Sequence, residues 1–330
     1  MKQGWLALAA VAAFAGEASF EVPLTLSAGS MFSSRSGARL TGGFRAVAYP
    51  HLNLGRGFFL AGALQAYSRP YFYEQLDSGG YGARGDVLQS YAGYARNWGR
   101  NAVVLKAGIL SSAFGSFPLR YDDALNPLID MPPGYGYYYK PVSTLGLAGA
   151  QADITIGRVD GRAQFVTSSA ANRRGIFDSD QYGQWAGGAG VTVMQGFRIG
   201  TSFYRGPYLH RGHRFFRPGE AAPVTLPATG YGMDVQFARG HFSLSGELSR
   251  FQRAYHVVPT RNQVLGYGEA KYTISPRVYL AARIGTDVYD FALGYRLNRR
   301  QLLKIGYQHS PLLPNVLGLQ LVTRLSPVSH

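Results

Sequence analysis

Charged side chains follow a strict spacing in the second half of this 330-residue chain. In residues 231–237, Asp234 and Gln236 share one parity, and apolar residues take the other. Successive side chains of a strand point to opposite faces, so this spacing predicts a sheet with one apolar and one charged surface. A charged surface beside water can attract, repel or orient charged solutes.

The same parity collects charged residues along most of the chain. The basic ones are Arg45, Lys106, Arg162, Arg198, Lys271, Arg283, Arg296, Lys304 and Arg324, and the acidic ones are Asp153, Asp234, Glu247, Glu269 and Asp290. An Arg or Lys at the bilayer midplane costs about 2–4 kcal/mol, so we expect these side chains to point away from lipid. Some pairing is expected, for instance between Glu269 and Lys271. The basic surplus predicts a weak preference for anions.

Catalytic chemistry has little support in the sequence. A serine nucleophile needs a base and an orienting group, and neither G-x-S-x-G nor H-E-x-x-H occurs. The absence of cysteine excludes disulfides and thiolate metal sites. His210 and His213 lie in a basic loop whose expected partner is lipopolysaccharide phosphate rather than a metal ion. We therefore expect no enzymatic activity, no cofactor and no metal.

The elements that would position these charged residues are about sixteen strands of about ten residues each, in which polar and apolar side chains alternate. An even number is typical of bacterial single-chain transmembrane barrels. The fourth strand fits either parity around residues 88–94. The predicted strands are 23–32, 39–48, 57–69, 86–97, 102–112, 145–156, 161–169, 183–193, 197–206, 229–238, 241–251, 263–274, 278–286, 287–297, 301–309 and 315–325.

Connection lengths and aromatic residues support the same count. Every second connection is short, such as the turn at 50–57, and all the long connections belong to the other set. This alternation is typical of short periplasmic turns and longer extracellular loops. Outward-facing aromatic residues are expected in two girdles. One girdle would hold Phe237, Phe242, Tyr272 and Tyr295, and the other Tyr231, Tyr289 and Tyr307. The predicted fold is an all-β, antiparallel transmembrane β-barrel from Pro23 to Leu325 with no periplasmic domain.

The N-terminus predicts export. Lys2, the apolar stretch 5–14 and the small residues Ala13 and Ala15 are typical of a signal peptide over residues 1–15, which leaves 16–330 as the barrel. Only 15% of residues are charged, and 43 Gly and 23 Tyr suit a barrel wall. The net charge is +15, but the basic residues are dispersed, which argues against nucleic-acid binding. The expected location is the outer membrane, in contact with lipid and lipopolysaccharide.

The longest connection, residues 113–144, is the third of the long set and is called the long loop below. The chain enters it through Gly108-Ile-Leu-Ser-Ser-Ala-Phe-Gly-Ser-Phe-Pro118. With its sixteen strands the chain resembles outer-membrane porins, and residues 108–118 are similar to the Gly-Arg-Phe-x-x-Pro-Phe-Gly stretch of phosphate-selective porins. Two features depart from that pattern: the C-terminus is Ser326 to His330 rather than Phe or Tyr, and no lysine-rich loop suggests a phosphate site.

The resemblance implies that the long loop folds into the barrel and narrows it, although a cap on the rim is an alternative. Its constriction residues would be Arg120, Tyr121, Asp122, Asp123, Asp130, Tyr135, Tyr137 and Lys140. Loop carboxylates opposite wall arginines would then create a transverse field. Several prolines lower the entropy cost of ordering the loop.

The predicted function is a water-filled channel for passive diffusion of small hydrophilic solutes, with a weak preference for anions. A homotrimer is compatible with the resemblance. The alternatives are a sugar-type porin whose loop tyrosines stack on sugars, an outer-membrane barrel enzyme, and a closed structural or adhesive barrel.

Overall fold

The computed structural model describes residues 18–34, 40–72, 82–117, 121–136, 140–167, 183–207, 227–254, 259–311 and 314–326. Within these ranges the regular structure consists of β-strands. None of the described residues forms a helix long and apolar enough to cross a membrane.

The described residues form twenty strands, and eighteen of them belong to one sheet. In chain order they are β1 (Ser19–Glu21), β2 (Leu24–Ser33), β3 (Leu40–Ala48), β4 (His51–Gly55), β5 (Phe58–Arg69), β6 (Gly82–Trp98), β7 (Asn101–Leu110), β8 (Tyr135–Gly136), β9 (Val142–Ser143), β10 (Leu147–Ile156), β11 (Val159–Val166), β12 (Gln184–Met194), β13 (Phe197–Pro207), β14 (Pro227–Arg239), β15 (Phe242–Arg253), β16 (Arg261–Ser275), β17 (Val278–Gly285), β18 (Val288–Arg296), β19 (Gln301–His309) and β20 (Val316–Leu325).

The sheet closes on itself. Neighbouring strands pair antiparallel along the chain, β7 pairs with β10 across the long loop, and the last strand pairs with β2 from Leu24 opposite Leu325 to Ser33 opposite Val316. Closure satisfies the backbone groups of every wall strand, which a membrane-spanning sheet requires. The parallel pair β8–β9 lies within the long loop and outside the barrel sheet.

Two wall strands are each interrupted by a proline without losing register. Leu24 pairs with Ala48 on one side of the interruption, and Ser19 pairs with Asn53 on the other, so β1 continues β2 and β4 continues β3. Proline lacks an N–H, but its carbonyl still takes part: Pro50 O accepts from Gly62 N at 2.9 Å. The eighteen strands are therefore sixteen wall strands, and the predicted closed sixteen-strand barrel is confirmed.

Two of the predicted boundaries were wrong, and one ambiguity has a structural cause. The sheet begins at Ser19 rather than Pro23, because β1 pairs with β4. The strand predicted to end at 48 continues to Gly55, and the turn is Gly55-Arg56-Gly57 with positive φ angles of 79°, 52° and 89°. The fourth strand fits either parity because it contains a β-bulge. Ala63 pairs with Gln89 and Leu64 with Val87, so Leu88 is the extra residue, and the side-chain parity changes there.

Large apolar side chains on the outer face are exposed, among them Met233, Leu248 and Ile284. A continuous exposed apolar surface of this kind is the outer wall of a transmembrane barrel. Aromatic residues pack in pairs near the strand ends, as Phe242 does on Tyr272 with ring centroids 4.8 Å apart. The opposite face of each strand points into the barrel.

Candidate functional site

All fourteen charged residues that the alternation singled out lie on the inward parity of their strands. Several of them pair with one another rather than standing alone. Arg283 on β17 bridges Glu269 on β16 at 2.7 Å and Asp290 on β18 at 3.3 Å. Since these three side chains are almost completely buried, their charges compensate each other inside the wall.

A second arginine bridge lies on the other side of the barrel. Arg198 on β13 contacts Asp160 on β11 at 2.6 Å and Asp234 on β14 at 2.7 Å. Its guanidinium crosses the inner surface of β12, where a Cβ at Gly190 would collide with Nη2. Glycine at this position therefore allows the arginine to lie flat against the wall.

The remaining inward charges vary in their surroundings. Lys106 Nζ lies 2.7 Å from Asp153, and Arg162 donates to the Gly115 carbonyl of the long loop. Lys271 Nζ stands 4.7 Å from the ring centroid of Tyr279. Arg296 and Arg324, near the ends of their strands, are exposed.

One anchor of the long loop is a lysine of the wall. Lys304 Nζ on β19 donates to three loop carbonyls: Asp123 at 2.5 Å, Asn126 at 2.9 Å and Leu128 at 3.1 Å. An ammonium group has three donors, and all three are used here. The side chain is completely buried, so Lys304 fixes the loop backbone to the inner face of β19.

A second anchor surrounds the adjacent acidic residues of the loop. Arg45 Nη1 on β3 lies 2.9 Å from Asp123 Oδ1, and Tyr71 Oη donates to the other carboxylate oxygen at 2.9 Å. Tyr49 Oη donates to Asp122. Burial, followed by the neighbouring Asp123 carboxylate, raises the pKa of Tyr71 well above its usual value. The phenol therefore remains a neutral donor.

A third anchor binds the beginning of the loop to the far wall. The Glu247 carboxylate on β15 accepts from Ser116 N at 2.8 Å, Ser116 Oγ at 2.5 Å and Phe117 N at 3.0 Å. It also accepts from the phenols of Tyr135 and Tyr267. One carboxylate thus compensates several buried donors, and the buried charge is stabilised by these bonds.

Apolar packing follows the same contacts. Phe114 packs on Tyr204 and Phe251 with ring centroids 5.2 and 5.5 Å apart, while Leu128 packs with Tyr279 on another side of the barrel. The described part of the long loop therefore contacts inward-facing residues on widely separated strands.

The predicted constriction residues occupy different positions. Asp122 and Asp123 are buried against the wall as described above, and Tyr135 is buried with them. Asp130 offers its carbonyl to Arg283 Nη1 at 3.0 Å, while its carboxylate accepts from Met131 N at 2.8 Å. Tyr121 and Lys140 are partly buried. Arg120, Tyr137 and the pair His210 and His213 lie outside the described residues.

Several residues of this network were not predicted as site residues. They are Tyr49, Tyr71, Asn126, Asp160, Tyr204, Tyr267 and Tyr279. The predicted strands 145–156 and 161–169 leave Asp160 in the connection between them, but it is the second residue of β11 and points inward. Alternation predicts that Tyr204, Tyr267 and Tyr279 point inward. It does not predict which residues of the long loop they contact, because those residues are distant in the sequence.

A polar cavity of about 490 Å³, here called the side cavity, remains between the beginning of the long loop and the wall strands β6, β7, β10, β11, β13 and β14. Its charged lining residues are Lys106, Asp153, Asp160, Arg162 and Arg198. Amides and hydroxyls, such as those of Gln236 and Ser116, complete it. Among the described residues no cluster of three or more His, Asp or Glu side chains could hold a metal ion.

No protein-family profile and no curated protein matches the sequence. Solved structures do match the fold. "Salmonella typhi OmpF complex with Daunomycin" is 8% identical with a TM-score of 0.64, covering 93% of this chain and 97% of that one. OmpT (in-vitro folded), an outer membrane protein of Vibrio cholerae, is 9% identical with a TM-score of 0.63, covering 93% and 98%. The anion-selective porin from Comamonas acidovorans is 11% identical with a TM-score of 0.62, covering 94% and 100%.

At these identities the comparisons establish the fold alone: a closed antiparallel barrel of the kind found in bacterial outer-membrane porins. The predicted fold and the predicted outer-membrane type of barrel are confirmed at that level. The similarity of residues 108–118 to phosphate-selective porins is not supported by these structures.

Proposed function

We propose that this protein is an outer-membrane porin, a channel for passive diffusion of small hydrophilic solutes. The observation that carries the proposal is a lipid-type outer wall around an inner face of charged and amide side chains, with a polar cavity beside them. The lipid-facing side cannot hold charged residues, and a polar, charged inner face is typical of barrels that enclose a water-filled channel.

In this proposal the long loop narrows the channel. Its support is the set of three anchors at Arg45, Glu247 and Lys304, which draw the loop against inward-facing residues from different sides of the wall. A cap resting on the rim would not need these contacts.

A weak preference for anions is the finer part of the proposal. It rests on the nine basic and five acidic residues that the alternation assigns to the inward parity, a surplus that the inward-facing Asp160 lowers by one. Lining charges select ions of opposite sign. The described similarity to an anion-selective porin is compatible with it. Lipopolysaccharide and outer-membrane lipid would be the surrounding partners, and a homotrimer would be the assembly.

A closed barrel is the second candidate, and one observation favours it. Arg45, Arg283 and Lys304 have completely buried side chains, and aromatic residues from the wall and the long loop form a packed cluster. A lumen filled across its whole section would not conduct.

Single-channel recording separates the two candidates. Purified protein in a planar bilayer is expected to give stable conductance steps, and a salt gradient is expected to give a reversal potential on the anion-selective side. Heat-modifiable mobility on a gel verifies that the same sample is folded. Folded protein without conductance would contradict the channel and favour the closed barrel.

A further inference from the structure

We infer that solutes pass on one side of the long loop only, through the side cavity, and that the charges lining this cavity set ion selectivity. The inward cations on the opposite side, Arg45, Arg283 and Lys304, would be structural anchors that do not meet the solute. This inference rests on the proposed function, since it assigns the route within the same channel.

Exposure separates the two groups of charges. The side chains of Arg45 and Arg283 are 0% exposed, and Lys304 is equally buried. In the side cavity the exposed fractions are 23% for Lys106, 29% for Asp153, 21% for Arg198 and 37% for Asp160. Only the second group can change the free energy of a passing ion by direct contact.

The hydrogen bonds of the anchors lead to the same division. Lys304 donates all three of its N–H groups to loop carbonyls. Arg45 donates to Gln65 Oε1 at 3.0 Å and to Tyr121 O at 3.1 Å besides pairing with Asp123. A solute could bind these cations only by displacing the loop, so their role is to hold it.

The side cavity has a small positive surplus. Its lining contains three cations, Lys106, Arg162 and Arg198, and two carboxylates, Asp153 and Asp160. Asp234 also pairs with Arg198, although its side chain is only 3% exposed and does not line the cavity, so its charge offsets part of this surplus. The preference of the cavity for a small polar anion therefore depends on how far each lining cation is paired.

Arg162 is the residue that carries this surplus. Lys106 pairs with Asp153 and Arg198 with Asp160, whereas Arg162 has no carboxylate within ion-pair distance among the described residues. Its guanidinium donates to the Gly115 carbonyl, at the point where the long loop passes the cavity. Its charge is thus the least compensated one along the proposed route.

The cysteine-free chain allows a direct test of the route. Thr155 lines the side cavity, and Ala292 is buried beneath Leu128 of the long loop on the opposite side. A water-soluble, anionic methanethiosulfonate reagent is added to Thr155→Cys and Ala292→Cys channels during recording. We expect a stepwise loss of at least about half the conductance for Thr155→Cys and no change for Ala292→Cys. An effect at Ala292→Cys alone, or at neither position, would overturn the route while leaving the channel itself established.

Selectivity is tested by Arg162→Gln, with Arg277→Gln on an exposed periplasmic turn as the control for an equal change in net charge. We expect Arg162→Gln to move the reversal potential toward cations in a tenfold potassium chloride gradient, and Arg277→Gln to leave it unchanged. Equal reversal potentials for Arg162→Gln and the parent would overturn the role of the side cavity in selectivity. A folded parent without conductance would instead refute the proposed function, and this inference with it.

Discussion

Lys304 illustrates how a buried cation can hold a loop inside a barrel. An ammonium group in a wall facing an empty lumen would be hydrated, but here three backbone carbonyls replace water. Desolvation of a charge is costly unless every donor is satisfied. The side chain and the loop backbone therefore stabilise each other, and neither arrangement is expected to persist without its partner.

The first prediction concerns this residue. Lys304→Met keeps the length and apolar stem of the side chain but leaves three buried carbonyls without a donor, at about 1–3 kcal/mol each. We expect the urea midpoint for loss of the heat-modifiable gel band to fall clearly, and protease cleavage within the long loop to increase. Arg277→Met, on an exposed turn, serves as the matched control. Equal midpoints for the two variants would show that the carbonyls find other donors.

At the scale of strands, β12 and β13 are shaped for the Arg198 bridge. Gly190 gives the guanidinium a flat surface over which it reaches Asp160, two strands away. Glycine usually weakens a strand because it has no side chain to pack. At position 190 it is explained by the close approach of the Arg198 guanidinium.

Gly190→Ala tests this reading. A methyl group would meet the far end of a flexible arginine, so we expect the barrel to fold while Arg198 leaves Asp160 and turns into the side cavity. Unit conductance should then fall. Gly268→Ala is the control, because a Cβ there meets no atom within 4 Å and the residue faces outward. A Gly190→Ala channel with the conductance of the control would contradict this account.

A larger change removes the long loop. Replacing residues 121–139 by a short Gly-Ser linker would expose Arg45, Arg283 and Lys304 to water. Unit conductance is expected to increase. Anion preference is expected to strengthen because the deletion removes the carboxylates of Asp122, Asp123 and Asp130, which leaves Arg45 and Lys304 without their loop partners. If conductance stays at the parent level in a folded variant, the loop does not constrict the path.

Sequence periodicity was sufficient for the strands and their faces. Each predicted strand overlaps one wall strand, because the lipid-facing side leaves little freedom in which residues it accepts. The errors arose where a local signal was ambiguous. Pro50 predicted a turn, but the strand continues through it, and Leu88 hid a bulge that changes parity.

The contacts of the site were less accessible to sequence. The inward parity of Arg45 and Glu247 follows from alternation, whereas their partners in the long loop depend on how an irregular segment packs over distances of 78 and 131 residues along the chain. The sequence also predicted that Asp122 and Asp123 would face wall arginines across an open path and create a transverse field. Instead, both carboxylates are buried in direct contacts with the wall.

At the scale of the whole molecule, the two faces of the wall make a simple prediction. Leu244 and Ser245 are neighbours on β15, but Leu244 points outward and Ser245 inward. In the cysteine-free background, Leu244→Cys should react with a membrane-soluble maleimide and Ser245→Cys with a water-soluble one. Labelling in the reverse pattern, in liposomes that contain folded protein, would refute the orientation of the wall.

The anchor at Lys304 has a consequence for assembly. The lysine and its partner Asp123 are 181 residues apart in the chain. The long loop is synthesised before β19, so this contact cannot hold its backbone until the penultimate wall strand is in place. Such distant contacts form late, because the entropy of closing the intervening chain must be lost first. Immobilisation of the loop therefore indicates that β19 has joined the barrel. The time at which the loop becomes resistant to protease would measure when the last steps of insertion occur.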